Sequence, residues 1–174
     1  TNFLVKLFVR DSENTENIHV RERYGKFAGI VGVITNFILF LMKVVAGLVF
    51  HSIAIIADAV NNLSDSASSV VTLIGFKLSG KPADKEHPYG HARMEYISGL
   101  IVSFVILLVG FQLLQTSAEK VIHPEEASFT VVTFVILAFS MLIKLWQCMF
   151  YRNIGKRISS TTLRATATDS LNDV

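Results

Sequence analysis

Four residues carry oxygen at a spacing that could do chemistry. Asn61 and Asp65 lie four apart inside the otherwise apolar run from Ser52 to Gly80, and Asp169 and Asp173 repeat that interval near Val174. Residues three, four and seven apart share one face of a helix, so each pair stacks two oxygens one turn apart, and Asp58 extends the first stripe by another turn. If the two helices pack together, one amide and three carboxylates converge on a point. Such hard oxygens suit Mg²⁺, Ca²⁺ and Mn²⁺, whereas imidazole and thiolate favour Zn²⁺ and copper. Carboxylates held that close do not all stay ionised without a cation between them, so exchange of a metal ion for protons follows from the same chemistry. The structural alternative is a polar cluster that only locks two helices. Ser64, Ser66, Ser68 and Ser69 are read as packing residues that bond their own backbone.

The helices that must carry these residues belong in a membrane. Of 174 residues, 51% are hydrophobic, the mean hydropathy is +0.49, and the apolar residues fall into runs of the roughly 20 residues that cross a bilayer. The expectation is an all-α membrane protein, a helical transmembrane bundle with four complete spans at about 27–50, 53–78, 96–118 and 129–151 and the start of a fifth at 158–174. Residues 1–26 read as an N-terminal segment and 27–174 as the transmembrane domain. Thr1–His19 reads as a surface tail, and no secretory signal is evident. A helix over the last stretch rises only about 25 Å, short of the roughly 30 Å hydrocarbon core, so the chain is expected to be a fragment. The single cysteine, Cys148, excludes an internal disulfide framework, and scattered basic residues offer no nucleic-acid surface.

Lysine and arginine set the orientation. Arg21, Arg23 and Lys26 flank the first span, Lys81, Lys85 and Arg93 lie between the second and third, and Arg152, Lys156, Arg157 and Arg164 between the fourth and fifth. The opposite loops hold His51 in one case, and Lys120 beside Glu119, Glu125 and Glu126 in the other. The positive-inside rule therefore puts the N-terminus and the Lys81–Arg93 loop in the cytoplasm, with His123-Pro124 as a turn on the outer side. Two lysines sit within spans. Lys144 is expected to snorkel to the basic end, while Lys43 either snorkels or pairs with Asp58, which could also act as a relay point. Gly29 and Gly32, or Gly99 and Gly110, offer close helix approach.

These residues carry a resemblance. Ala57-Asp-Ala-Val-Asn-Asn-Leu-Ser-Asp65, followed by Lys81-Pro-Ala-Asp-Lys-Glu-His-Pro-Tyr-Gly-His-Ala-Arg-Met-Glu95, is similar to the cation diffusion facilitator family of divalent-metal transporters. The resemblance implies six transmembrane helices, a cytoplasmic metal-binding-type domain, and a homodimer that exports metal against protons; the sixth helix and that domain are not in this sequence. It implies a four-ligand transport site at Asn61, Asp65, Asp169 and Asp173. Zinc-type relatives have Asp in place of Asn61 and His in place of Asp169, so this pattern resembles the manganese-exporting branch. The implied cargo is Mn²⁺, with Zn²⁺, Fe²⁺, Co²⁺ or Cd²⁺ as the alternative, and the implied setting is a bacterial plasma membrane.

Some relatives hold a second metal in the loop between the second and third helices, and the matching positions are Asp84, His87 and His91. The plainer reading is that His87-Pro-Tyr-Gly-His91 shapes the loop, while Arg93 and Glu95 make polar contacts at the interface. His19, His51 and His123 read as surface histidines. Two other classes remain open to test. A non-transporting sensor or scaffold would keep the same site. An intramembrane aspartyl protease needs only two acids, and its Gly-x-Gly-Asp element is absent.

Overall fold

The computed structural model describes Thr15, residues 17–122 and residues 131–174, and over these it is all-helical. Five helices follow in order: α1 (Ile18–Val49), α2 (Ile53–Ser79), α3 (Met94–Ile122), α4 (Val131–Arg157) and α5 (Thr161–Asn172). Three of them, α1, α3 and α4, are long and apolar enough to cross a membrane. With 27 residues, α2 has the length, but its amides, hydroxyls and carboxylates make it less apolar. The 12 residues of α5 rise about 18 Å. The expected turn at His123-Pro124 and most of the N-terminal tail lie outside the described residues.

Helix starts follow their caps. The side chains of Asn17, Ser52 and Ser160 accept from the backbone N–H of His19, Ile55 and Leu163, satisfying donors that a first turn leaves open. The α1–α2 and α4–α5 turns each place one non-glycine residue, His51 and Ser159, at positive φ. Helix α1 begins at Ile18, well before the apolar run that marks its span, and α4 continues through Arg157. Arg152, Lys156 and Arg157 are thus helical rather than part of a connection, and Arg164 lies on α5. The reason is electrostatic: cations near a helix C-terminus favour its negative dipole end and prolong the helix.

Packing divides the bundle. Helix α1 lies along α2, α4 packs on α5, and α3 bridges α2 and α5, whereas α1 meets α4 and α2 meets α5 over much narrower contacts. One end is closed by an apolar core of Val20, Tyr24, Ala28, Phe76, Phe150, Tyr151, Ile154, Ile158, Leu163 and Ala167. Arg21 fastens that end, pairing with the buried Glu95 of α3 at 3.0 Å and donating to the Ile158 carbonyl in the α4–α5 turn. The expected polar role of Glu95 holds. Small residues admit the close approaches: a Cβ on Gly29 would lie 2.8 Å from the Cβ of Leu73, and one on Gly99 would meet Thr162. Among the described residues nothing lies within 4 Å of a Cβ built on Gly110, so no helix of this chain makes the expected approach there. Exposed Leu and Phe side chains along α3 suit a lipid or protein surrounding.

Candidate metal centre

The α2 stripe turns Asn61 and Asp65 towards the seam where α2 meets α5, and α5 brings Asp169 and Asp173 to the same place. One carboxylate oxygen from each of Asp65, Asp169 and Asp173 lies within 4.8 Å of the others, and all three side chains are partly buried. The Asn61 amide nitrogen donates to Asp173 Oδ1 at 3.2 Å. Two polar i, i+4 pairs that the sequence keeps far apart, one amide with three carboxylates, thus form a single cluster.

The fourth helix supplies a cation that the sequence reading misplaced. Lys144 does not snorkel. Its Nζ donates to Asp65 Oδ2 at 2.6 Å and to Asp173 Oδ2 at 2.7 Å, and its side chain is only 3% exposed. An ammonium inside a bundle is costly without partners, and two carboxylates within reach outweigh a climb to the basic end. A signal for this was present on α4: Thr133, Ser140, Lys144, Gln147 and Tyr151 follow one another at intervals of seven, four, three and four, and all five are buried. The polar face of α4 points inward.

Nearer the other end, Lys43 Nζ pairs with Asp58 Oδ2 at 2.7 Å. The structure therefore gives Asp58 a fixed partner and resolves the Lys43 alternatives in favour of a pair. Ser64 and Ser69 bond carbonyls of their own helix, as expected, whereas Ser66 donates to Val33 on α1.

The loop residues also meet. Asp84, His87 and His91 bring one ligand atom each within 4.8 Å of one another. His87 Nδ1 lies 3.3 Å from Asp84 Oδ1, and His91 Nε2 lies 3.5 Å from Asp84 Oδ2. The other nitrogen of His91, Nδ1, is 3.1 Å from the Pro82 carbonyl, an acceptor to which Nδ1–H donates. The backbone N–H of His87 donates to Asp84 and is the main reason its carboxyl is held below the usual carboxylate range. Gly90, at φ +79, turns the chain between the two histidines.

Residues 29–174 match the cation efflux transmembrane domain. The chain belongs to the cation efflux family. Within it, the chain is similar to the manganese efflux system protein MneS of Bacillus subtilis, at 33% identity over 157 residues, 87% of this chain and 54% of that protein. The manganese efflux system protein MneP of the same organism is 28% identical over 155 residues, 88% of this chain and 52% of that protein. The magnetosome protein MamM of Paramagnetospirillum magneticum is 42% identical over 86 residues, 49% of this chain and 27% of that protein. The chain spans about half the length of the first two relatives. Membership of the cation efflux family bears out the resemblance that the second helix and its following loop carried.

Proposed function

We propose that the protein exports a divalent metal ion, Mn²⁺, from the cytoplasm in exchange for protons, binding it with Asn61, Asp65, Asp169 and Asp173. The convergence of three carboxylates and one amide at the α2–α5 seam carries this reading. Hard oxygens suit Mn²⁺, and among the described residues the cluster offers no imidazole or thiolate that would favour zinc. The similarity to proteins named for manganese efflux supports the same cargo. Irving–Williams order places Mn²⁺ at the weak end, so ligand type and supply rather than affinity must select it. The alternative within the family, Zn²⁺, Fe²⁺, Co²⁺ or Cd²⁺, differs in cargo and not in route.

In this reading α2 and α5 also enter the bilayer, giving four complete spans plus the start of a fifth. The basic end, with Arg21, Lys81 and Lys156, faces the cytoplasm of a bacterial plasma membrane. Mn²⁺ enters near the Lys81–Arg93 loop and reaches the cluster. The α4–α5 pair then rocks against α1–α2 across the seam, and protons arriving at the carboxylates release the ion outward. The working unit is a homodimer. Asp84, His87 and His91 form a second, separate ion site in the loop.

Mn²⁺ uptake into everted membrane vesicles tests the transport reading. Asp65→Ala and Asp173→Ala should each lower uptake by about 100-fold or more, the scale of losing a ligand that also anchors the ion. Normal uptake in either variant, with expression unchanged, would overturn the four-residue site. Proton movement that follows metal in reconstituted vesicles separates an exporter from a sensor or scaffold.

A further inference from the structure

Resting on that reading of the site, we propose that Lys144 is a tethered counter-cation. It fills the oxygen cluster between ions and must leave two of its carboxylates for metal to bind, so binding exchanges one cation for another.

Place comes first. Oxygen ligands hold Mg²⁺ at about 2.1 Å and Ca²⁺ at up to about 2.6 Å. Lys144 Nζ stands 2.6 Å from Asp65 Oδ2 and 2.7 Å from Asp173 Oδ2. An ion bridging those two oxygens needs the space the ammonium holds, and two cations cannot share it. Charge agrees. When all three carboxyl groups are ionised, one ammonium leaves two negative charges, the charge that a divalent ion balances. Lys144 therefore steadies the cluster without satisfying it, and the surplus still draws an ion in.

The displaced ammonium has a destination. Gln147 lies three residues on, on the same face of α4, so the two side chains are neighbours. Its side chain is fully buried, and neither its amide oxygen nor its amide nitrogen has a hydrogen-bond partner among the described residues. Buried amides without partners are rare and are unfavourable by about 1–3 kcal/mol. The Gln147 oxygen gives the ammonium an acceptor one turn from the cluster. Because Lys144 sits on neither acid-bearing helix, its departure also breaks the ion pair that ties α4 to Asp65 of α2. Occupancy of the site and the position of α4 are then linked through one side chain.

Equilibrium Mn²⁺ binding to the natural full-length protein tests this, together with the rate of Mn²⁺ loss on adding a chelator. Lys144→Met removes the competitor and keeps the volume: affinity should rise tenfold or more and release should slow to match, so that transport falls although binding improves. Lys144→Arg keeps the charge and should stay within about threefold of wild type. Gln147→Leu should weaken Mn²⁺ binding severalfold in the wild type and change nothing in Lys144→Met, a dependence that a purely structural role would not produce. If Lys144→Met is unstable without metal, it can be purified with Mn²⁺ and the release rate alone decides. Unchanged or weaker binding in Lys144→Met, or release as fast as wild type, overturns the inference while the metal site stands. Absence of saturable Mn²⁺ binding in wild type overturns the site itself, and the inference with it.

Discussion

Two buried lysines in one small bundle meet very different company. Lys43 reaches a single acid, Asp58, at 2.7 Å, and the pair is balanced. Lys144 reaches two acids and stands beside a third, Asp169, leaving an excess of negative charge. A balanced pair has nothing further to attract. An overcharged cluster at a seam between packed units draws a second cation and responds to it. The comparison separates an acid that holds the bundle together from acids that, in the proposed reading, handle an ion, although Asp58 and Asp65 lie on the same stripe of the same helix.

The strongest way to break the comparison is to remove one acid from each side. Asp65→Ala should abolish Mn²⁺ uptake, whereas Asp58→Asn should leave it within about threefold, because only the former takes an oxygen from the cluster. Equal losses of uptake in vesicles with matched expression would mean that Asp58 belongs to the ion's route and that the Lys43 pair is no mere fastening. Stability should sort the other way. Lys43→Met strands a carboxylate that is 34% exposed and should lower stability by about 1–2 kcal/mol, between the values for exposed and fully buried pairs. Adding Asp58→Asn should restore most of it. Melting in detergent, with single and double variants compared, reads the coupling; a double variant no better than Lys43→Met would show that the pair is not a unit.

What sequence reasoning could see and what it could not divides along the same line. That Asn61 and Asp65, and Asp169 and Asp173, share helix faces was legible because the i, i+4 interval is a local property of a helix and survives any tertiary arrangement. Glu95 was legible as a polar contact at the interface, but not that it would be buried against Arg21. Lys144 was not, since whether a lysine climbs to the interface or turns inward depends on acids 79 and 29 residues away in the chain. The inward polar face of α4 was readable, but only by counting Thr133, Ser140, Gln147 and Tyr151 with the lysine. The end of α4 was missed for a related reason. A cluster of Arg and Lys marks the cytoplasmic side of a membrane without saying where a helix stops, and here the helix continues through it. Gly110 shows the limit of motif reading, for a glycine permits close approach only where another helix is present to make it.

A smaller effect sharpens the selectivity of the overcharged cluster. Asn61 donates to Asp173 in this arrangement and would turn its oxygen inward to hold an ion, since an amide can present either end. Asn61→Asp replaces that neutral ligand with a fourth carboxylate. The added charge strengthens binding of every divalent ion, but most for those higher in the Irving–Williams order, so the ratio of Zn²⁺ to Mn²⁺ affinity should rise about tenfold, or about 1.4 kcal/mol. Metal-competition binding at fixed pH measures that ratio. An unchanged ratio would mean that Asn61 is not a ligand, and that its amide serves only to orient Asp173.

The smallest effect is expected farthest from the seam. The Asp84–His87–His91 cluster is mostly exposed, with Asp84 and His87 open to solvent and only His91 buried. Its imidazoles suit a different, softer ion from that of the oxygen cluster. Among the described residues Asp84 pairs with His87 and His91 and with no lysine, so metal there displaces no tethered cation. His87→Ala should therefore lower the number of Zn²⁺ or Co²⁺ ions bound per chain by one while Mn²⁺ uptake stays within about twofold of wild type. His91→Ala should do the same and also loosen the loop, because it removes the contact to the Pro82 carbonyl. Protease sensitivity between Lys81 and Arg93 would report that loosening. If either variant instead cut Mn²⁺ uptake as deeply as Asp65→Ala, the loop would be part of the ion's path, and the distinction between fastening acids and ion-handling acids would have to extend beyond the seam to the mouth of the bundle.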